Sequence, residues 1–307
     1  MKIFVTGIAG FIGSALAKHL LTLGHYVKGI DNYSTGNPKN LDKRIECQEG
    51  DIRDSNILKE LLNDYDIIIH LAAQTSGEKS FEIPEYDIET NIIGSLNIYE
   101  FSKICNAKLI INISSMSVYG NVTKNKIISE DYITNPISVY GNTKLTAENI
   151  LGLLSKRDNI PLINLRLFNA FGPGQNLDEM KQGMISIYLS YLLKYDEITV
   201  KGSLKRVRDF IYIDDIISSI VSIINSDKYE TNTFNISTGT LTSVSDVIKI
   251  LKSISGIDKP IVQSDNTPGD IFGFGGSYKK IKQEFDWDPK YSLEHGIKTM
   301  MEFYKGK

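Results

Sequence analysis

The sequence predicts an α/β fold: a doubly wound parallel sheet followed by a smaller α/β domain. Three observations carry this. Short apolar runs alternate with helical patterns through the first half, a glycine triplet joins the first strand to the first helix, and the regular order stops near residue 170. Strands separated by helices imply parallel pairing with helices on both faces of the sheet.

The elements follow in order. Residues 2–6 read as a buried strand, and 11–23 have helical periodicity ended by Gly24. Residues 26–30 and 44–49 read as the second and third strands. A helix is expected over 55–62 with Ser55 as its N-cap. The apolar run 67–71 is a fourth strand, 87–105 a long helix, and 108–113 a fifth strand. A second long helix covers 139–156 and a sixth strand 162–167. Beyond this, Gly172, Pro173 and Gly174 break the pattern. Helices at 185–193 and 214–225, a strand at 199–200, and a helix capped by Thr242 or Ser243 and running to about Ser255 complete the reading. Residues 1–170 are expected to form the first domain, with some later segments returning to it, and 171–307 mainly the second.

Composition narrows the function classes. The 307 residues are 41% hydrophobic and 23% charged, an ordinary globular balance. A net charge of -3 supplies no field to hold nucleic acid. The local cluster Lys201, Lys205, Arg206 and Arg208 stays open between a solvated loop and an anionic-ligand site. Cys47 and Cys105 are far apart and are expected to be reduced thiols. His19, His25, His70 and His295 form no zinc pattern, so no metal is expected, and His70, ending an apolar strand, reads as structural. Glycines interrupt the apolar N-terminal run, and no apolar stretch reaches the ~18 residues of a membrane span. A cytoplasmic location is expected.

The triplet Gly7, Gly10 and Gly13 sits on the first strand–helix transition. Gly7 permits the tight turn, Gly10 lets backbone N–H groups approach a pyrophosphate, and Gly13 allows close helix–strand packing. The helix then presents its positive end to the phosphates. Asp31 closes the second strand about 18 residues later, near the spacing of a ribose-binding carboxylate. It is followed by Asn32, Tyr33, Ser34, Thr35 and Gly36, with no arginine for a 2′-phosphate, so NAD is expected rather than NADP. These features make the first domain a Rossmann-type dinucleotide-binding domain.

Tyr140 and Lys144 lie four residues apart, on one helix face. Tyr99/Lys103 and Tyr278/Lys282 share that spacing. Only Tyr140 starts a long helix after a strand ending in Ile113-Ser114-Ser115, and strand C-terminal ends are where such sheets present ligands. Oxidising a hydroxyl needs a base for the O–H proton and an acceptor for the C–H electrons. A tyrosine near pKa ~10 is a poor base at neutral pH. Lys144, with the charge of an oxidised nicotinamide, is expected to lower that pKa and to position the nicotinamide ribose. Ser115 is expected to orient the hydroxyl.

Together these residues resemble the extended short-chain dehydrogenase/reductases, the NAD-dependent epimerase/dehydratase family, which includes UDP-galactose 4-epimerase. The segments TGIAGFIG, DNYSTG, GDIRD, HLAAQ, SSMSVYG, YGNTK, RLFNAFGPGQ, RDFIYIDD and a late PGD carry the resemblance over nearly the whole chain. It implies a nucleotide-sugar substrate. It implies further NAD contacts at Phe11, Ile12, Asn32, Ser34, Thr35, Gly36, Asp51, Ile52, Leu71, Ala72, Ala73, Asn91 and Phe168, with Tyr140 and Lys144 also touching the cofactor. Thr75, Ser115, Tyr140, Asn169 and Arg208 would meet the substrate, Asn169 and Arg208 near its diphosphate. Members that are 4,6-dehydratases carry Thr-Asp-Glu where this chain has Ser115-Met116-Ser117, and decarboxylases place Glu at the position of Met116. What the resemblance leaves is a 4-epimerase, oxidising C4 to a keto-sugar and reducing it from the other face. The alternative is a 4-dehydrogenase that releases the keto product; a dehydratase, a decarboxylase or a non-catalytic NAD-binding protein is less favoured. Thr75 and Thr267 replace a lysine and an arginine of UDP-galactose 4-epimerase, so the sugar is open. A UDP-sugar is favoured, with GDP-, CDP- and dTDP-sugars also possible. The resemblance further implies a homodimer through the helices 87–105 and 139–156, for which the stripe Ile88, Ile92, Leu96 and Tyr99 is suitable.

Overall fold

A computed structural model describes residues 1–123, 126–226, 228–265 and 271–305. Strands β1 (Lys2–Thr6), β2 (Tyr26–Asp31), β3 (Glu46–Glu49), β4 (Ile67–His70) and β5 (Leu109–Ser115) alternate with helices α1 (Phe11–Thr22), α2 (Ser55–Lys59), α3 (Gly77–Glu82), α4 (Pro84–Ile88) and α5 (Gly94–Ile104). The short β6 (Ile127–Ile128) precedes the long α6 (Val139–Asp158), which leads to β7 (Leu162–Leu167) and β8 (Asn169–Phe171). Then come α7 (Met184–Lys194), β9 (Ile198–Lys201), β10 (Val207–Tyr212), α8 (Ile213–Ile224), β11 (Asn232–Ile236), β12 (Leu241–Ser243) and α9 (Val244–Ser255). β13 (Ile261–Ser264), β14 (Gly275–Gly276), α10 (Lys279–Phe285) and α11 (Leu293–Lys305) complete the chain.

Seven parallel strands form the main sheet in the order β11-β7-β5-β4-β1-β2-β3. Both faces are covered, which is why β4 and β5 are buried at every residue and open on the apolar runs Ile67–Ile69 and Leu109–Ile111 in place of alternation. Alternation along β1 feeds two cores: Ile3 and Val5 point into the larger, and Phe4 packs against Tyr65 and Phe101 in the other. β11, from the second half of the chain, pairs with β7 and closes the sheet edge. Smaller sheets, β12-β10-β8 and β13-β9, stand beside it.

Several elements differ from the sequence expectation, each for a local reason. Asp54 rather than Ser55 caps α2, its carboxylate accepting from Asn56 N at 2.9 Å. Ser243, not Thr242, caps α9, accepting from Asp246 N at 3.1 Å. The single helix expected over 87–105 is α4 and α5 joined by a π turn, Glu89–Ile93. The widened turn shifts the helical phase, and the expected apolar stripe divides: Ile88 is exposed while Tyr99 is buried, bonded to Asp158 at 3.0 Å. β8 and α3 lie in stretches where no periodicity announced them.

Parallel strands place Thr6, Asp31, His70, Ser115 and Leu167 at one edge of the sheet. The first turn there depends on backbone contact. Gly7 has φ +67°, and a Cβ on Gly13 would sit 2.1 Å from the Gly7 carbonyl oxygen. Gly13→Ala should therefore force α1 away from β1, lowering the urea midpoint by the equivalent of about 1–3 kcal/mol. An unchanged midpoint in equilibrium unfolding would refute the contact.

Candidate active site

The carboxyl edge opens into a cleft of about 1510 Å³. Every cofactor, catalytic and substrate residue named from the sequence lines it except Asn91. The glycine turn forms one end. There Asp31 accepts from Ala9 N and from Tyr33 N, both at 2.8 Å, tying the end of β2 to the loop after β1. Gly36 packs so closely that a Cβ would stand 2.7 Å from the Asp31 carboxylate. Asn32 donates to Asp51 at 2.9 Å, and Arg53 grips the same carboxylate through Nε and Nη2. Burial would raise the Asp51 pKa, but the bonds from Arg53 and Asn32 outweigh it and bring it down to about 2.

Beneath the floor Leu71-Ala72-Ala73 runs a buried relay. Thr6 Oγ1 accepts from Ala72 N at 3.1 Å and meets His70 Nδ1 at 2.8 Å. His70 Nε2 meets Ser95 Oγ at 2.9 Å, and Ser95 Oγ donates to Asn91 O at 2.6 Å. The serine proton being committed to Asn91, His70 donates from Nε2 and accepts at Nδ1, so the imidazole is neutral. Burial, with Lys144 nearby, takes its pKa down to about 3. Its role is structural, as the sequence suggested.

Asn91 corrects the expected cofactor contact. It is 1% exposed and its amide is fully occupied: Oδ1 accepts from Gln74 N at 2.9 Å, and Nδ2 donates to Gln74 O and to Asp87, each at 3.0 Å. It holds the loop that carries Thr75 instead of reaching into the cleft. It lies within the π turn.

At the other end, Ser138 caps α6 by accepting from Gly141 N at 3.0 Å, which starts the helix just before Tyr140. Ser115 caps the turn after β5, accepting from Ser117 N at 3.1 Å and donating to Ser117 Oγ at 3.2 Å, with the Tyr140 phenol beside it. Lys144 lies one turn below Tyr140 and is 3% exposed. Its pKa falls to about 8 through burial, against the pull of Glu148 and Asp87. The phenol departs from expectation: burial lifts it to about 12, Ser115 opposing and Asp87 adding to the rise. The scaffold alone thus stores the proton on Tyr140. The look-alike pairs do not assemble a site: Tyr99 is buried on Asp158, and Tyr278 packs on Trp287.

Burial splits the basic cluster. Lys205 is exposed, and Lys201 pairs with Glu78 at 3.2 Å. Arg206 and Arg208 are buried at 7% and 6%, and Arg208 lines the cleft. Burial and the neighbouring Arg206 lower the Arg208 pKa to about 10, leaving it charged at neutral pH. Asp209 anchors its strand by accepting from Thr238 Oγ1, Thr238 N, Gly239 N and Gly276 N at 2.6–3.1 Å. Asn169 donates to Asp209 O at 2.8 Å and to the Met116 thioether at 3.4 Å. Thr75 lines the cleft; Thr267 lies outside the described residues.

The segment 74–78, which no motif explained, is a strap between the two halves of the chain. Gln74 donates to Asp87 at 2.7 Å, Ser76 caps α3 and donates to Lys181 O at 3.0 Å, and Lys79–Glu179 and Glu82–Lys181 pair at 2.6 and 2.5 Å. Sequence reasoning also missed Gln175 and Thr90, which line the cleft with buried Oε1 and Oγ1 atoms lacking partners among the described residues. The glycine cradle, the Asp31 carboxylate and these two unpaired atoms suit a dinucleotide laid along the cleft.

Comparison with known proteins agrees. The family model described as GDP-mannose 4,6 dehydratase matches residues 4–300. A putative UDP-glucose 4-epimerase of Methanocaldococcus jannaschii is 30% identical over 99% of this chain and 98% of its own. The structure of a Thermotoga maritima UDP-glucose 4-epimerase with UDP-glucose superposes with a TM-score of 0.95 at 34% identity, covering 100% of this chain and 99% of that one. A UDP-glucuronic acid 4-epimerase of Bacillus cereus, in complex with UDP-glucuronic acid and NAD, gives 0.90 at 30% identity, with the same coverage.

The His70 relay has a pH signature. With a folded pKa near 3 against 6.5 unfolded, the unfolded chain binds the extra proton between those values. Stability from this group is complete above pH 6.5 and is lost as pH falls toward 3. His70→Gln should flatten the fall in unfolding free energy across that window by about 1.4 kcal/mol per pH unit. Parallel curves for the two proteins would contradict a buried neutral imidazole.

Proposed function

This chain belongs to the NAD-dependent epimerase/dehydratase family, and on that premise we propose that it is a nucleotide-sugar 4-epimerase. NAD is the cofactor. When bound, it supplies a reversible two-electron acceptor for the C4–H bond and a positive charge beside the phenol. The observation that carries the reading is the meeting of Ser115, Tyr140 and Lys144 at one end of the cleft, with the Met116 thioether beside them where a dehydratase or decarboxylase of this family would place an acid.

The chain's own groups divide the work. Ser115 lines the cleft beside the phenol and is placed to bond the sugar C4 hydroxyl, holding it toward Tyr140. Once the charge of the bound cofactor favours the phenolate and the resting phenol proton has left to solvent, Tyr140 takes the C4 hydroxyl proton as the C4–H bond breaks, and returns it when the keto-sugar has turned its other face. Its raised pKa makes it a strong base once deprotonated and a secure proton store between the half-steps. The Lys144 ammonium, directly beneath, stabilises the phenolate. Arg208 offers a guanidinium for diphosphate oxygens, and Asn169 lies one strand over. A UDP-sugar is favoured because the relatives of 30% identity or more are named for UDP-sugars.

A homodimer fits the exposed apolar side chains Ile88, Ile93 and Leu153 on α4, the π turn and α6. Among the described residues no helix is long and apolar enough to cross a membrane, and we place the protein in the cytoplasm.

Tyr140→Phe keeps the ring and removes the proton carrier. Interconversion of UDP-sugar 4-epimers, followed by NMR, should fall by at least 100-fold. NAD recovered from the denatured variant should match wild type. Turnover within tenfold of wild type would defeat the assignment.

A further inference from the structure

Glu148 lies one further turn along α6, in phase with Tyr140 and Lys144, and is 5% exposed. The mechanism above gives it no task. Its carboxylate nevertheless joins three elements. Ser114 on β5 donates to Oε1. Arg166 on β7 donates from Nη2 to Oε2 at 2.7 Å and from Nε to Oε1 at 3.0 Å. Arg166 also bonds the Tyr119 phenol at 3.0 Å, and Tyr119 donates to Asn235 on β11 at 2.7 Å. A buried polar line therefore runs from the sheet edge to the catalytic helix, through the residue immediately before Ser115.

The charged and titratable groups around Lys144 are few. β4 contributes His70, which is neutral, and α4 contributes Asp87. β5 contributes the hydroxyls of Ser114 and Ser115, and β7 contributes Arg166 behind Glu148. Tyr140 and Glu148 come from its own helix. Of the two carboxylates, Asp87 bonds only the neutral donors Thr143, Gln74 and Asn91, and burial raises its pKa. Glu148 is the one held in an ion pair.

We infer that Glu148 is a positioning residue for this reaction: it locks β5, β7 and α6 in the register that brings Ser115, Tyr140 and Lys144 together, and it sets a buried negative charge one helical turn from the Lys144 ammonium. The identity of the reaction rests on the epimerase reading; the charge of Lys144 does not.

The test separates the two. In protein labelled with ¹³Cε-lysine, the Lys144 resonance, assigned by its loss in Lys144→Met, should titrate near pH 8. Glu148→Gln keeps the side-chain shape and removes the charge. It should lower the midpoint by about one pH unit or more, a tenfold change in proton affinity. The ratio of wild-type to variant turnover should then rise about sixfold between pH 6.5 and 8.5. Ser114→Ala should slow turnover equally at all pH values and leave the midpoint in place. Should Glu148→Gln fail to fold, Glu148→Gln/Arg166→Met removes the pair together and leaves no buried guanidinium unmatched; a fall in the same direction is required, smaller because the positive charge of Arg166 goes too. An unmoved midpoint, or an equal shift in Ser114→Ala, overturns the inference. A shifted midpoint in a protein that interconverts no sugar supports it and fails the epimerase reading instead.

Discussion

Polar side chains at the carboxyl edge of this sheet are buried, and a buried donor or acceptor left without a partner costs about 1–3 kcal/mol. That constraint organises the rest. With helices on both faces, the strand ends meet solvent only through the cleft, so their polar groups satisfy one another. Two lines of hydrogen bonds result. One runs from Thr6 through His70 and Ser95 to the backbone of Asn91, whose side chain then grips Gln74. The other runs from Asn235 through Tyr119, Arg166 and Glu148 to Ser114. Each ends beside a residue that faces ligand: the first supports the floor at Ala72, the second supports Ser115. Rigidity of the scaffold and placement of the chemistry are thus one problem with one solution.

The same burial sets the electrostatics. Tyr140 and Lys144 are pushed in opposite directions, the phenol up and the ammonium down, and both shifts disfavour charge. The resting site is therefore reluctant to ionise, and ligand binding has to supply the bias toward phenolate. A site that deprotonates only when filled is suited to a cycle whose keto intermediate has to be retained until it is reduced. The strap formed by α3 and the 179–181 loop closes the cleft from the side and joins the two halves of the chain through ion pairs.

Much of this was legible in the sequence where the signal is local. The alternating strands and helices, the Gly7–Gly13 turn, Asp31, and Tyr140 with Lys144 depend on periodicity and short spacing, and the structure gathers all of them on one cleft. What escaped depends on contacts between distant residues. Glu78 and Lys201 are 123 residues apart in sequence, and Tyr119 and Asn235 are 116 apart. The π turn that holds Asn91 is invisible to a 3.6-residue period, and the residue expected at the cofactor anchors the Gln74 loop. The basic cluster near residue 205 could not be divided by composition, since burial alone distinguishes Arg208 from Lys205. Glu148 shares a helix face with Tyr140 and Lys144, so its phase was readable, but its partner Arg166 was not.

The central claim is that oxidation and reduction at C4 occur within one closed site. UDP-sugar carrying deuterium at C4, incubated with the purified protein in ordinary water without added cofactor, tests this most directly. The account predicts the 4-epimer with deuterium retained at C4. Loss of the label to solvent, or release of a 4-keto sugar with no epimer formed, would contradict it.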